Sequence, residues 1–492
     1  MKKILRVNGA TLLITMGAYA QHTSTGNSTD WDSGTAWDQG DVPLAGENVV
    51  INHEIIVTSS TAVCNNLTVN YNSGAGSLTI SGASAKLDAG GTGTIGGAVT
   101  ITGGTAANPA TLDIAGALTL SGSITVNAGQ RFILGSSGAT SNTTATGPIH
   151  VNSASGSHGA FYNYGSWTSN SVSGVLNYNR FIANLDTWDL IGVPVSNLSI
   201  STFASTENDL ASGGGSGNDQ YAIGTYTNTS AAHPGNTWLN YTTSSVGAAG
   251  DFEPGKGYQM AASGSTAGQG KEVTFSGLPN TGTVTEPVIN SETGDEDNDH
   301  SDGTKFNLIA NPYPSFISVT TFINTNTSVL KSYHQAVYGW DGDQYDTYNL
   351  ASGGYIAPAQ GFMVGADSAS STNISFTTAM QSTSNTSMDD FISGDAMDPD
   401  DRAELFVGIS QDGLTDRTRL YFLDNTTDGL DLGYDASVIG GFNNSMIYSR
   451  LLQDDEGYAI DIQSLAYSEM WDKVIPIGVN AVAGEEMTIS VT

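Results

Sequence analysis

The residues of this 492-residue chain best suited to chemistry are aromatic, and they come in two sets. Trp238, Tyr241 and Tyr258 find counterparts, in the same order, in Trp340, Tyr345, Tyr348 and Phe362. Indole and phenol faces stack on the apolar faces of sugar rings, which makes Trp238, Tyr241, Trp340 and Tyr345 the candidate glycan-binding residues. The competing reading is cross-strand and core packing, the commoner use of aromatics in alternating strands.

A second candidate is the run DEDNDHSDG. Asp295, Asp297, Asp299 and Asp302 could turn carboxylates towards one hard cation, so calcium is the one cofactor worth testing. His300 stands where an EF-hand loop needs glycine, and no glutamate closes the loop, so a solvated acidic loop is the alternative. Asp428, Asp431 and Asp435 form another acidic group, for which a turn-forming role is the default. The Asn311–Pro314 phrase, NPYP, could lift Tyr313 outward as a binding loop or simply stiffen a strand-ending turn.

Catalysis has less support. There is no HExxH, no Gly-x-Ser-x-Gly elbow and no phosphate-cradling loop. Lyases acting on acidic glycans need basic groups, and between Asn48 and Arg180 the only bases are Lys86, Arg131 and Arg180. A pair of carboxylates would suffice for an inverting hydrolase. The expectation is a protein without catalytic residues, with a glycan hydrolase or lyase as the rival.

Composition narrows the partners. With 15 Lys plus Arg against 48 Asp plus Glu, the net charge of −33 repels phosphate backbones and anionic membrane surfaces, so nucleic acid is excluded as a partner. The acids crowd the second half: Met1–His150 carries 8 acids and 5 bases, Ser291–Thr492 carries 31 and 7. The opening MKKILRVNGATLLITMGAYAQ places Lys2, Lys3 and Arg6 before an apolar stretch and an Ala-Tyr-Ala site, the pattern of a secretory signal peptide over residues 1–20. No segment is long and apolar enough for a membrane span. One cysteine, Cys64, rules out an intrachain disulfide.

The 60 glycines and the short apolar triplets NLTV, SLTI, AVTI, TLDI, ALTL and SITV predict an all-β chain of short strands with tight corners. Regular recurrence predicts a right-handed β-solenoid, β-helix-like, over residues 21–175, with a β-sandwich as runner-up. At about 20 residues per coil and about 4.8 Å per coil, roughly six coils would stand near 30 Å tall.

Next comes an internal duplication. WDLIGVPVSNLSISTF is answered by FNLIANPYPSFISVTTF, and FEPGKGYQM by IAPAQGFMV, so Leu190-Ile191 matches Leu308-Ile309, Pro194 matches Pro312, and Phe203 matches Phe322. These define a duplicated β-rich domain over 176–380, its copies at about 176–285 and 305–377, with an acidic loop at 291–304. An acidic linker at 381–400 precedes longer alternating strands at 401–492, expected to form an antiparallel β-sandwich that stops short.

Three blocks in this order, WDSGTAWDQGDVPLAGENVVI, the WDLIGVPVSN and FNLIANPYPSFI pair with IAPAQGFMV, and DGLDLGYDA with IPIGV, carry a resemblance. The chain resembles the large surface proteins that gliding and polymer-degrading Gram-negative bacteria export through the type IX secretion system. The resemblance implies a secreted or surface-attached adhesin or display module. It also implies a C-terminal sorting domain read by the secretion machinery, which this sequence lacks. An extracellular polysaccharide or surface ligand is the expected partner.

Overall fold

The computed structural model describes residues 20–71, 76–135, 142–169, 175–182, 188–213, 219–228, 237–263, 271–292, 305–342, 344–383, 402–411, 413–439, 447–481 and 484–492. For Lys3–Val7 and Ala10–Ile14 it describes the backbone, an antiparallel pair of strands. The chain divides into two units: one holds Met1–His150 with Asn163–Val175, the other Val151–Tyr162 with Leu176–Thr492.

The first unit is a β-solenoid. Successive coils enter one parallel sheet at Asn48, Leu67, Gly93, Leu118, Asn142 and Ser166, 19 to 26 residues apart. Most coils exceed the expected length because corner turns of Gly, Ser and Asn take up the difference. Each coil lays its inward residues on those of its neighbours, so one row runs Ile51, Val69, Ile95, Leu120, Ala145, all buried. Such a row forms because strand side chains alternate with period two, and each buried Ile, Val or Leu contributes about 1.5–3 kcal/mol.

Glycine at one corner is a packing requirement. A β-carbon on Gly97 would lie 2.3 Å from the Gly76 carbonyl oxygen, one on Gly122 1.9 Å from that of Gly97, and one on Gly147 1.8 Å from that of Gly122. Near the first coil Trp31 and Trp37 are buried, their rings 5.0 Å apart and edge-on, with Trp37 Nε1 donating to the Trp31 carbonyl at 2.9 Å. Cys64 points into the stack.

The second unit contains the duplication. The first copy runs through strands Leu176–Ile182, Asp189–Ile191 and Val195–Ser196, helix α1 (Ile200–Thr206), then strands Gln220–Tyr226, Trp238–Thr242, Tyr258–Met260 and Lys271–Pro279. The second runs through Val284–Val288, Phe306–Ala310 and Ile317–Ser318, helix α2 (Val319–Asn326), then Val337–Trp340, Tyr345–Tyr348, Gly361–Gly365 and Thr372–Phe376, with Tyr355–Ile356 between. Strand pairing repeats as well. Leu176–Ile182 pairs with Lys271–Pro279 as Val284–Val288 pairs with Thr372–Phe376, so residues 284–288 open the second copy.

Both helices begin on a serine cap, which supplies an acceptor to an otherwise unpaired N–H. Ser199 Oγ accepts from Thr202 N at 3.3 Å and Ser318 Oγ from Thr321 N at 3.2 Å. The matched phenylalanines are the buried anchors of the helices: Phe203 stacks on Phe275 at 5.1 Å and Phe322 meets Phe376 at 5.5 Å.

The copies clasp each other reciprocally. Gly192 N donates to the Ala359 carbonyl at 2.9 Å, and Ala310 N donates to the Gly255 carbonyl at 2.8 Å. Bridges join Ile191 to Gln360 and Ile309 to Lys256 in the same exchanged sense. Gly257 and Gly361 are the close approaches that permit this: a β-carbon on Gly257 would lie 2.5 Å from Leu308, and one on Gly361 2.6 Å from the Leu190 backbone.

The C-terminal sheet contains Ala403–Gln411, Leu414–Leu423, Ala436–Ser437, Ile447–Ser449, Ile460–Ala466, Ile477–Val479 and Thr488–Val491. It is antiparallel except where Leu414–Leu423 runs parallel to Ile460–Ala466. Tyr421, Leu423, Ala436 and Ile462 pack on Phe306, Leu308, Tyr338 and Met363 of the duplicated domain. Val407, Ile409, Leu420 and Phe422 form a separate core on this sheet.

Candidate functional site

Each copy ends one hairpin in an aromatic pair placed directly across the strands. In the first, Tyr226 opposes Trp238 with ring centroids 4.9 Å apart; in the second, Trp340 opposes Tyr345, also at 4.9 Å. Cross-strand neighbours of this kind, their rings inclined at 61° and 59°, stabilise a hairpin by edge-on and tilted ring contact. The four half-buried rings pack against one shared cluster that includes Leu190, Phe306, Leu308 and Tyr338.

Trp188 completes the site. Its carbonyl accepts from Trp340 Nε1 at 2.9 Å, and the residue is 38 % exposed. Burial pushes the Tyr226 phenol up to about 12. Burial, then the neighbouring Tyr226, raises Tyr345 further, so both hydroxyls stay neutral around neutral pH. The site thus offers aromatic faces and neutral hydroxyls. Asp346, next to Tyr345, is engaged by Arg419 at 2.8 Å, and Arg419 also donates to the Thr347 carbonyl at 2.6 Å.

Of the sequence candidates, Trp238, Trp340 and Tyr345 come together here. Tyr241 does not: it is half-buried near Lys256 and Glu253, and burial raises its phenol. Tyr258 and Phe362 are core residues, and Tyr348 lies under the Arg419 guanidinium, 5.7 Å from the ring centre. Tyr226 and Trp188 were not singled out by sequence. Tyr226 carried a usable signal, since it belongs to the hairpin partner of the TWLNY strand.

The binding-loop reading of NPYP fails on burial. Tyr313 is buried and donates to the Gly282 carbonyl at 2.7 Å, while Asn311 Nδ2 serves the carbonyls of Ser315 and Ala357 at 2.8 and 2.9 Å. Two of the three aspartates in DGLDLGYDA also form turns. Asp435 accepts from Asp431 N at 2.6 Å and Ser464 N at 2.7 Å, and burial pushes its carboxyl up to about 8 in spite of these bonds. Asp431 accepts from Thr427, and Asp428 pairs with Lys473.

The calcium candidates Asp295, Asp297, Asp299 and Asp302 lie outside the described residues. Among the described residues no group of His, Cys, Asp and Glu is placed to hold a metal ion, and no helix is long and apolar enough to cross a membrane.

Residues 168–351 and again 332–492 match the model of one family, a domain of unknown function, DUF8693. The chain belongs to the DUF8693 family. No curated protein and no solved structure matches it. The two DUF8693 matches take in both copies and the C-terminal sheet, and Trp340 and Tyr345 fall where they overlap.

Proposed function

We propose that this protein is exported and acts by contact at the cell exterior, as an adhesion or display module, with the aromatic pairs of the two copies as its contact surface. The observation that carries this reading is the convergence of Tyr226, Trp238, Trp340 and Tyr345 on one cluster beside the exposed Trp188. Half-buried rings are held rigid on one side and remain open to a ligand on the other, which limits the entropy lost on binding. The charged N-terminus with its apolar stretch supports export, and the resemblance to type IX cargo supports the cell surface as destination.

Extracellular polysaccharide is the ligand chemistry that suits the site. Aromatic faces accept the apolar faces of sugar rings, and the acidic second half disfavours anionic glycans. The test is retention of the full chain on immobilised neutral polysaccharides. The expected result is retention lost in Trp238→Ala and Trp340→Ala with thermal unfolding kept cooperative. Release of reducing ends, abolished by a single Asp or Glu substitution, would replace this reading with a glycan-cleaving enzyme. Retention unchanged in both variants would remove the aromatic pairs as the contact surface.

A further inference from the structure

The duplication makes two positions equivalent that carry opposite charges. Arg180 stands opposite Val273 and Glu286 opposite Ile374 in the two corresponding strand pairs. Each meets the turn of the other copy. Arg180 Nη2 donates to Gln360 Oε1 at 3.0 Å. Glu286 packs on the turn that holds Lys256, the counterpart of Gln360: a β-carbon on Gly255 would lie 3.4 Å from the Glu286 β-carbon.

The second slot is not closed as the first is. Lys256 Nζ is held by Glu253 Oε1 at 2.7 Å. Glu286 is 8 % exposed, and among the described residues no donor is hydrogen-bonded to its carboxyl. A carboxylate in that setting costs more than a carboxylic acid unless a cation moves to it.

We propose that Glu286 is a proton-controlled switch for Lys256: protonated, it leaves the ammonium on Glu253, and ionised, it draws the ammonium across to itself. The proton leaves to solvent, and no bond other than the carboxyl O–H is broken. Lys256 lies in the turn whose Gly255 carbonyl and Gly257 N–H hold Ala310 and Leu308 of the second copy, so the switch acts on the clasp between the copies.

The groups facing Glu286 are few. The turn supplies Lys256 and Glu253, the neighbouring strand supplies the phenol of Tyr258, Tyr241 faces Lys256 and Glu253, and the partner strand Thr372–Phe376 has no titratable side chain. Burial pushes the Glu286 carboxyl up to about 7, with Lys256 drawing it down and Glu253 raising it, which places the switch near neutral pH.

The test is infrared difference spectroscopy of the full chain, wild type minus Glu286→Gln, reading the protonated carboxyl band from about pH 5 to about pH 9. Bands from other buried carboxyls such as Asp435 and Asp461 cancel in the difference. The expected midpoint is near 7, raised by about one unit in Lys256→Met and lowered by about one unit in Glu253→Gln. A midpoint at the ordinary glutamate value of about 4.3, or one that neither variant moves, overturns the proposal. If Glu286→Gln does not fold, the Lys256→Met and Glu253→Gln spectra, each subtracted from wild type across the same range, give the same decision.

Discussion

Gly192 and Ala310 sit face to face where the two copies meet: a β-carbon built on Gly192 would lie 2.2 Å from that of Ala310. They are counterparts in the repeated phrase, LIG in one copy and LIA in the other. A local twofold relation brings equivalent residues together at its centre, and there is room for one methyl between them. The phrase recurs because each copy's strand is gripped by the other's turn. It is a device of the fold, and the aromatic hairpins inherit their convergence from it.

The two gripping turns differ in one respect that predicts unequal responses. Gly255 has φ +90° and its counterpart Ala359 has φ +57°, so an alanine is already held in the left-handed region on one side. Gly255→Ala is expected to destabilise by about 1–2 kcal/mol, because its methyl would also press on Val284, 3.2 Å away. Ala359→Gly should be near neutral, relief of strain offsetting a lost buried methyl of about 0.8 kcal/mol. Chemical denaturation of both variants checks this.

Glu292 and Lys305 bracket the acidic stretch 293–304 and are joined across it. Glu292 accepts from Lys305 Nζ and from Lys331 Nζ, each at 2.7 Å, and Lys305 is buried. Burial would raise the Glu292 carboxyl, yet the bonds from Lys305, Lys331 and Asn290 bring it down to about 2. A depressed carboxyl stabilises the fold above its unfolded value and loses that contribution as pH falls through its folded value. Glu292→Gln should therefore cost about 2–3 kcal/mol at neutral pH by removing the carboxylate that Lys305 and Lys331 share, with the difference from wild type vanishing between about pH 4.5 and pH 2. Urea titrations at several pH values would show it.

Cys64 should be inert. Burial, with Asp88 adding, pushes its thiol from 9.0 to about 12. At tenfold per unit this leaves about a thousandfold less thiolate than an ordinary cysteine has. A thiol reagent is expected to leave the native protein unlabelled for hours and to label it at once in denaturant. Rapid native labelling would contradict the packing of the coils.

Much of this architecture is legible in the residues because the strands are local and periodic. The solenoid follows from triplets such as LTV and LTL whose outer positions are buried, and the duplication from Leu190-Ile191 and Phe203 with their partners. What sequence hid was reciprocity. Nothing in PGKG or PAQG announces that each turn serves the other copy, and the strands Leu176–Ile182 and Val284–Val288 are equivalent by pairing while sharing little in residue type. The aromatic site was half legible for the same reason. Trp238 and Trp340 declare themselves by the repeat, whereas Tyr226 enters as the hairpin partner of Trp238 and Trp188 through the other copy's Trp340. Tyr241 shares the TWLNY strand with Trp238, but three positions along a strand put it on the opposite face, near Lys256 and Glu253.

A double-mutant cycle of unfolding free energies decides whether the two equivalent copies are seated on each other through Gly192 and Ala310. Gly192→Ala alone should cost about 1–3 kcal/mol by methyl overlap, and Ala310→Gly alone about 1–2 kcal/mol through a lost methyl and a freer backbone. Combined, the two changes move the methyl across the seam and should recover at least about 1 kcal/mol relative to their sum. Costs that add to within about 0.5 kcal/mol would contradict this seating, showing that the two residues do not share one space.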